Sequence, residues 1–355
     1  MAFELIRISN LRNLQECELS PDKGINLFSG NNGSGKTSVL EAIYILGRGR
    51  SFRDNQLVNV VSKGKSSFTV YGKKRNKAER TEIGINCSQK GCQVRLNGQK
   101  VYKLSQIARE TPIQIITPRS HEIVDTGSSI RRRFIEWGVF HVEHQYQNFS
   151  SRYQRALTQR NHALKENPVL AKVWDRELIE SGDIVNRLRK EYFLALKQEF
   201  QIQLDHLASV LRPDIGFFQG WPKEKTLEES LDESFEGDKM RKHTRFGPHR
   251  ADVIFRIGKT PLGKWGSRGE MKIVIYALFL AQANIIKNHI ESFPILLVDD
   301  FSVELDGINA ERILSNLSKS AGQVFLTTSN SHRLFTRQSV KLFHVEQGEI
   351  KDLSV

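Results

Sequence analysis

The stretch Gly30-Asn31-Asn32-Gly33-Ser34-Gly35-Lys36-Thr37 restricts what this chain can fold into more than any other, because it matches G-x-x-x-x-G-K-[ST] in the setting that gives the pattern chemical meaning. Upstream, Ile25-Asn26-Leu27-Phe28-Ser29 alternates as a strand does. Downstream, Val39, Leu40, Ile43 and Leu46 fall on one face of a helix from Ser38 to Leu46. Strand, glycine loop and helix thus come in the order a phosphate-binding loop needs. The glycines let the backbone close on a nucleotide, so that successive N–H groups and the positive end of the helix face its phosphates. Lys36 is placed to reach the β and γ phosphates, and the Thr37 hydroxyl to hold Mg²⁺.

A loop of this kind needs a second strand that delivers acids. Ile295-Leu296-Leu297-Val298-Asp299-Asp300 is a continuous apolar run ending in two carboxylates, the pattern of a buried parallel strand with acids at its C-terminal edge. Asp299 is expected to orient Mg²⁺ through its water shell, and Asp300 to act as base or polariser for an attacking water. Glu304-Leu305-Asp306 follows, and then a helix from Gly307. Ser267-Arg268-Gly269-Glu270 precedes a long apolar helix, about Met271 to Ile286. Ser267 and Glu270 have the spacing of a capping box, and a capped helix N-terminus containing glycine is also an anion site.

Charge sets the class of partner. The 355 residues carry a formal net charge of +13, and the pI near 9.6 points to a polyanion, DNA or RNA rather than a membrane surface. Cys17, Cys87 and Cys92 are too few for a disulfide framework and suit a reducing cytosol. Neither Cys87 with Cys92 nor His141 with His144 has a second ligand pair at a zinc-like spacing. No apolar run approaches the roughly 20 residues of a membrane span, and the N-terminus has no cleavable apolar core, so the expected place is the cytoplasm.

Along the chain, Phe3 to Ser9 reads as a strand and Cys17-Glu18-Leu19 as part of a second. Gly47-Arg48-Gly49-Arg50-Ser51-Phe52-Arg53 is a basic glycine-rich segment that either borders a ligand or is a solvated loop. Short β runs between Ser66 and Val101, with an Asn97-Gly98 hairpin turn, predict a small antiparallel sheet, and Ile113 to Ile116 a buried strand. From Arg131-Arg132-Arg133 to about Leu211 helical spacing dominates, broken at Pro168, with aromatic stripes that read as helix-to-helix core. The three arginines are either a functional cluster or a solvated face. An acidic run from Thr226 to Asp238, followed by Lys239 to Arg250, reads as a mobile surface connection. Ala251 to Ile257 is a strand expected to rejoin the nucleotide-binding core.

Taken together, these segments resemble the ATP-binding cassette class and, within it, the RecF family of bacterial DNA repair proteins. The resemblance covers nearly the whole chain. It rests on Ile8-Ser9-Asn10-Leu11-Arg12-Asn13, the phosphate loop with its helix, Gly49 to Arg53, Gly127 with Arg131 to Ile135, Gly247-Pro248-His249-Arg250-Ala251-Asp252, and Asp299 to Asp306. It implies an α/β fold: a cassette head with a mixed sheet and a small antiparallel β subdomain, built from residues 1–118 and 246–355, around a compact helical arm, 119–245. No sustained heptads occur, so the long coiled coils of SMC-type relatives are absent.

The resemblance further implies a weak ATPase whose two heads sandwich two ATPs with Mg²⁺. Ser267 and Gly269 of one subunit would touch the γ-phosphate bound at Lys36 of the other, so that ATP controls a homodimer. It implies binding of single- and double-stranded DNA at gap junctions, and action with RecR and RecO in loading RecA. Two positions depart from the pattern: Glu270 stands where glutamine is usual, and Ser329 where many cassettes have a switch histidine, with His332 nearby. Both favour slow hydrolysis. The competing readings are a transporter ATPase subunit, which would carry a much shorter helical insertion, a P-loop kinase, which would need no Ser-x-Gly signature, and an SMC-like structural scaffold.

Overall fold

The structure is a computed structural model and describes residues 1–76, 79–301, 303, 305–320, 322–329 and 340–353. The chain begins with strands β1 (Ala2–Leu11), β2 (Leu14–Leu19) and β3 (Ile25–Ser29), then helix α1 (Lys36–Arg48). Strands β4 (Ser67–Asn76), β5 (Glu79–Ser88), β6 (Gly91–Leu96) and β7 (Gln99–Val101) lead through α2 (Leu104–Glu110) to β8 (Ile113–Ile116). Next come α3 (Glu122–Asp125), α4 (Ser128–Val142), α5 (Tyr146–Glu166), α6 (Asp175–His206), β9 (Asp214–Phe218), α7 (Leu227–Arg241), β10 (Asp252–Ile257) and β11 (Thr260–Pro261). The chain closes with α8 (Arg268–Ile290), β12 (Ile295–Val298), α9 (Gly307–Ser320), β13 (Val324–Thr328), β14 (Val340–Glu346) and β15 (Glu349–Asp352).

Two compact units result. The first comprises Met1–Ser120, Gln203–Ser209 and Arg268–Val355, and the second His121–Ile202 and Val210–Ser267. In the first unit one sheet has the order β2-β1-β4-β5-β6-β7, and the other β15-β14-β3-β13-β12-β8. All pairs of the first are antiparallel. In the second, β14, β3, β13, β12 and β8 run parallel, and β15 closes one edge as an antiparallel hairpin. Asn97 and Gly98 both have positive φ, 50° and 79°, which is the primed turn that the Asn-Gly pair favours in a two-residue hairpin. The expected antiparallel sheet thus exists, but it is continuous with β1 and β2.

Helix α1 contacts strands of both sheets. Its amphipathic spacing suggested one buried face, whereas Val39, Leu40, Ala42, Ile43, Ile45 and Leu46 are all fully buried. Two sheets cover it, so a polar residue on its far side, Glu41, is buried as well. Helix α8 is the one described helix long and apolar enough to cross a membrane by length and composition, against the expectation that none would be. It is a core helix: 78% of its most apolar window is buried inside the protein, and Gln282 on it pairs with Gln114 of β8 at 2.8 Å in the interior. Cys87 and Cys92, expected as separate thiols, are a directly opposed pair on β5 and β6 and form a disulfide. Cross-strand neighbours of this kind come close enough to join regardless of how few cysteines a chain has.

The second unit corrects several expectations. Strand β10 pairs with β9 and β11, not with the parallel sheet. That pairing holds Val210–Ser267 with the helices, so the unit runs on past residue 245 to Ser267, while Gln203–Ser209 belong to the first unit. The acidic run and the first basic residues, through Arg241, are not a connection but helix α7, whose N-terminus has a complete capping box between Thr226 and Glu229. Arg160 on α5 is fully buried and holds Asp175 at 2.7 Å, Asp238 at 2.8 Å and Thr244 at 2.8 Å. Two of the three consecutive arginines are likewise structural. Arg131 grips Asp252 with two hydrogen bonds of 2.7 and 3.0 Å, and Arg132 donates to the Ala251 carbonyl at 2.8 Å. Arg133 alone is exposed.

The Gly247-Pro248-His249 turn is part of the same framework. Gly247 has φ 138°, and a Cβ there would strike the Tyr153 hydroxyl. His249 is held on both nitrogens: Nδ1 lies 2.6 Å from Tyr153 Oη and Nε2 3.1 Å from the Thr244 carbonyl. The carbonyl only accepts, so Nε2 carries the proton and the tyrosine donates to Nδ1. Burial, with Arg250, Arg132 and Arg189 adding to it, pushes the imidazole pKa down to about 4. An unfolded chain takes up this proton near pH 6.5, so stability from neutral His249 is complete above that pH and is lost as pH falls toward 4. Chemical denaturation across that window should show unfolding free energy declining by up to roughly 3 kcal/mol, and His249→Gln should flatten that decline.

Candidate nucleotide-binding site

The phosphate loop lies between β3 and α1, and its geometry explains its composition. Gly30 has φ 150°, and a Cβ there would collide with the Val345 carbonyl oxygen. Gly35 has φ 123°, and its Cβ would meet the Asn13 side chain at 3.0 Å. Neither backbone conformation suits an L side chain. Asn13 braces the loop, its amide donating to the Ser34 carbonyl at 3.0 Å while its oxygen accepts from Ser38 Oγ at 3.0 Å. From the other side the Gly348 N–H donates to the same Ser34 carbonyl at 2.8 Å. Asn13 belongs to a motif visible in the sequence; Gly348, hundreds of positions away, has no local signal.

Lys36 folds back over the loop and donates to the carbonyls of Gly30 at 2.7 Å and Asn31 at 2.9 Å. Burial lowers its pKa, an effect that the charges of Asp300 and Asp299 oppose. Ser34 Oγ is buried with no hydrogen-bond partner among the described residues. The first N–H groups of α1 also have no carbonyl within the helix to reach. A cation satisfied only by carbonyls, an orphaned hydroxyl and free helix N–H groups make a donor set suited to a polyphosphate.

The parallel sheet brings the second half of the site to this loop. Strand β13 lies between β3 and β12, so the acids that follow β12 emerge one strand away from the loop. Asp299 accepts from Thr37 Oγ1 at 3.0 and 3.2 Å and from Thr327 Oγ1 at 2.7 Å. Burial raises the carboxyl pKa, the Thr327 hydrogen bond opposes this, and the like charge of Asp300 adds to it. The Thr37 hydroxyl and this carboxylate are hard oxygen donors, too few to cage a metal alone and suited to Mg²⁺ that keeps waters and phosphate oxygens as further ligands. No cluster of three or more acidic, histidine or cysteine residues fit to hold a metal occurs among the described residues.

Asp300 turns the chain at φ 51°, in the left-handed region that a non-glycine residue adopts at some strain. What holds it there was not legible as a motif. The Asp300 N–H donates to Thr327 Oγ1 at 2.8 Å, and Lys272, on the second turn of α8, reaches the carbonyls of Asp300 at 3.4 Å, Phe301 at 3.2 Å and Val303. Tyr276, one turn further along α8, packs edge-on against Phe301 at 6.1 Å. Ser267 stands exposed just before α8 and Gly269 half-buried in its first turn. Asp306 caps α9, accepting from the Asn309 N–H at 2.8 Å. Ser329 is exposed after β13; Ser302, Glu304 and His332 lie outside the described residues.

The basic segment after α1 turns inward. Glu41, fully buried, receives Arg12 through bonds of 3.0 and 2.9 Å, Ser51 Oγ at 2.5 Å and Arg53 at 3.4 Å. Ser51 therefore holds the phosphate-loop helix through Glu41, whereas Arg53, half-exposed, also acts electrostatically on Asp299 and so borders the site as well. Removing Arg12 leaves a buried carboxylate served by a hydroxyl and a half-exposed arginine. Arg12→Ala should lower stability by about 3 kcal/mol in urea unfolding, with Arg53→Ala costing under about 1 kcal/mol.

Comparison with known proteins agrees with this architecture. The family model described as the RecF/RecN/SMC N terminal domain matches residues 2–351. The chain is 37% identical over 359 residues to the DNA replication and repair protein RecF of Pseudomonas syringae, covering 99% of this chain and 98% of that protein. It is 36% identical over 354 residues to RecF of Nitrosococcus oceani, covering 98% of both. A solved structure of the recombination mediator protein RecF with ATP, in the RecFOR pathway, superposes with a TM-score of 0.88 at 26% identity, over 99% of this chain and 97% of that one. An SMC head bound to the C-terminal winged-helix domain of ScpA shares the fold, with a TM-score of 0.59 at 15% identity, over 100% of this chain and 98% of that one. A full-length match to the family model, full-length relatives above one-third identity and the same head architecture leave one assignment: the chain is a member of the RecF family of DNA replication and repair proteins.

Proposed function

We propose that the protein is an ATP-controlled DNA-binding protein of recombinational repair and replication restart, acting in the cytoplasm as a slow ATPase. The observation that carries this reading is the direct contact of Thr37 with Asp299 at 3.0 Å, which joins the two halves of a phosphate-binding site within one sheet. Gly30 to Thr37 would hold the triphosphate, with Lys36 exchanging its two loop carbonyls for phosphate oxygens. Thr37 and Asp299 would hold Mg²⁺, which when bound neutralises charge on the phosphate oxygens. Asp300 would orient and deprotonate the attacking water, its direction set by Thr327 and Lys272.

Ser267 and Gly269 are the groups offered to a second copy, contacting the nucleotide held at its Lys36. Helix α8 begins at these residues and, four positions on, presents Lys272 to the Asp300 turn. Nucleotide capture in one copy and carboxylate placement in the other thus share one helix. A switch built this way dimerises on ATP and separates after slow hydrolysis. The net charge of +13 gives the dimer a polyanion-binding surface for single- and double-stranded DNA, and the family's RecR, RecO and RecA are the partners it would serve at gaps.

Lys36→Ala should weaken ATP binding on the order of 100-fold in calorimetry, and an unchanged affinity would remove the phosphate-loop assignment. Asp300→Asn should bind ATP normally, hydrolyse it roughly 100-fold more slowly and persist as a dimer in sedimentation. Ser267→Arg should keep nucleotide binding and lose ATP-dependent dimerisation. In wild type, DNA affinity should rise with ATP and fall linearly in log–log fashion with salt; an interaction indifferent to both contradicts the repair reading.

A further inference from the structure

The solvent face of the antiparallel sheet is electrostatically divided. On its inner strands three cations are neutralised in place, Arg7 by Glu18 at 2.7 Å, Lys73 by Glu82 at 3.8 Å and Arg75 by Glu4 at 2.9 Å, while Arg80 of β5 is exposed without an ion pair among the described residues. On the outer hairpin the pattern stops. From Ile83 to Arg109 the sequence has five lysines and arginines and no aspartate or glutamate. Among the described residues Lys90, Arg95 and Lys103 make no ion pair, and Lys100 has only the ring of Tyr102, 5.2 Å beneath it. A group of exposed like charges repels itself, and an outer hairpin that carries unpaired cations with no acid in its own sequence has a surface suited to a polyanion.

The register aligns these groups with two aromatics. Tyr71, Gly84, Arg95 and Lys100 are successive cross-strand partners on β4, β5, β6 and β7. Their sequence neighbours Val70, Ile85 and Val94 are buried, so this row faces solvent, as the alternation of a strand requires. At Gly84 a Cβ would meet nothing within 4 Å, which leaves a notch between Tyr71 and Arg95. Beyond the row, at the end of the edge strand, Tyr102 is 82% exposed, a large flat ring with a cation on one side and water on the other.

We propose that this outer hairpin is a track for single-stranded DNA, with phosphates on Arg95 and Lys100 and a base stacked on Tyr102. The proposal rests on the DNA-binding reading above and adds the place and the strand state. Single-stranded DNA fits better than duplex because only an unstacked base can lie on an isolated ring, whereas duplex contacts use the cations alone. It fits better than a protein strand added to the sheet edge, because such a strand pairs with backbone groups and makes no use of Arg95 or Tyr102, and edge lysines oppose such pairing.

The test compares a fluorescent oligothymidylate with a duplex of the same length, in the presence of ATP and over a salt series, for wild type, Tyr102→Ala and the double variant Arg95→Gln/Lys100→Gln. Tyr102→Ala should weaken oligothymidylate binding by about 5- to 100-fold and leave duplex binding within about twofold. The double variant should lower the slope of log affinity against log salt for the single strand by about 1.4, two phosphate contacts at roughly 0.7 each. A 5-iodouracil-substituted oligonucleotide should photocrosslink to Tyr102. Wild type that binds DNA while Tyr102→Ala loses nothing, or loses single strand and duplex equally, overturns the track and leaves the DNA-binding reading standing. Unchanged DNA binding with lost affinity for polyglutamate overturns it in favour of an acidic protein partner, and a wild type that binds neither probe overturns both readings. ATP affinity serves as the fold control, since these residues lie outside the phosphate loop.

Discussion

Asp299 is a buried carboxylate that ends a parallel strand, and it is tolerated there because two hydroxyls meet it, Thr37 from the phosphate-loop helix and Thr327 from the strand between. Removing a charged oxygen from water without partners costs several kcal/mol. The hydroxyls therefore do more than bind. They fix the loop, the central strand and the acidic turn at one distance from each other, and the same Thr327 oxygen goes on to accept the Asp300 N–H. The candidate nucleotide site depends on this three-way junction, since it is the point at which groups about 260 positions apart become one surface.

The same logic recurs where no ligand is involved. Glu41 behind the loop, and Arg160 within the helical unit, are buried charges surrounded by opposite charges and hydroxyls. In the second unit the residues of Gly247 to Asp252 receive Tyr153, Arg132, Arg131 and Arg189. Each of these is a place where losing one partner strands another, which explains structurally why so many charged residues in this chain are not available to a ligand. What remains exposed and unpaired is correspondingly informative, as on the outer hairpin of the antiparallel sheet.

Helix α8 links the residues of the proposed signature to the acidic turn. Ser267 precedes it and Gly269 lies in its first turn, its second turn holds the carbonyls of the acidic turn through Lys272, and its body is core. A helix is stiff over this length, so a displacement at Gly269 reaches Lys272 without damping by intervening loops. That coupling needs no pathway beyond one turn of helix, about 5.4 Å.

The sequence by itself determined the local chemistry: the phosphate loop with its strand and helix, the apolar strand that ends in Asp299 and Asp300, the Asn-Gly hairpin and the Pro168 break, all of which depend on residues within a few positions of each other. It also carried the family resemblance. Tertiary structure decided what depends on pairing across distance. It buried α1 on more than the one face that periodicity indicated, leaving only Thr37, Tyr44 and Arg48 half-exposed, because a second sheet covers it. It assigned β10 to the helical unit because β9 pairs with it, and it turned Arg131, Arg132 and Ser51 from candidate ligand contacts into structural groups. Lys272, Thr327 and Gly348 could not be found in advance for the same physical reason. A hydrogen bond between residues far apart in the chain leaves no periodic or spacing signal, and exists only once sheet order has brought its two ends together.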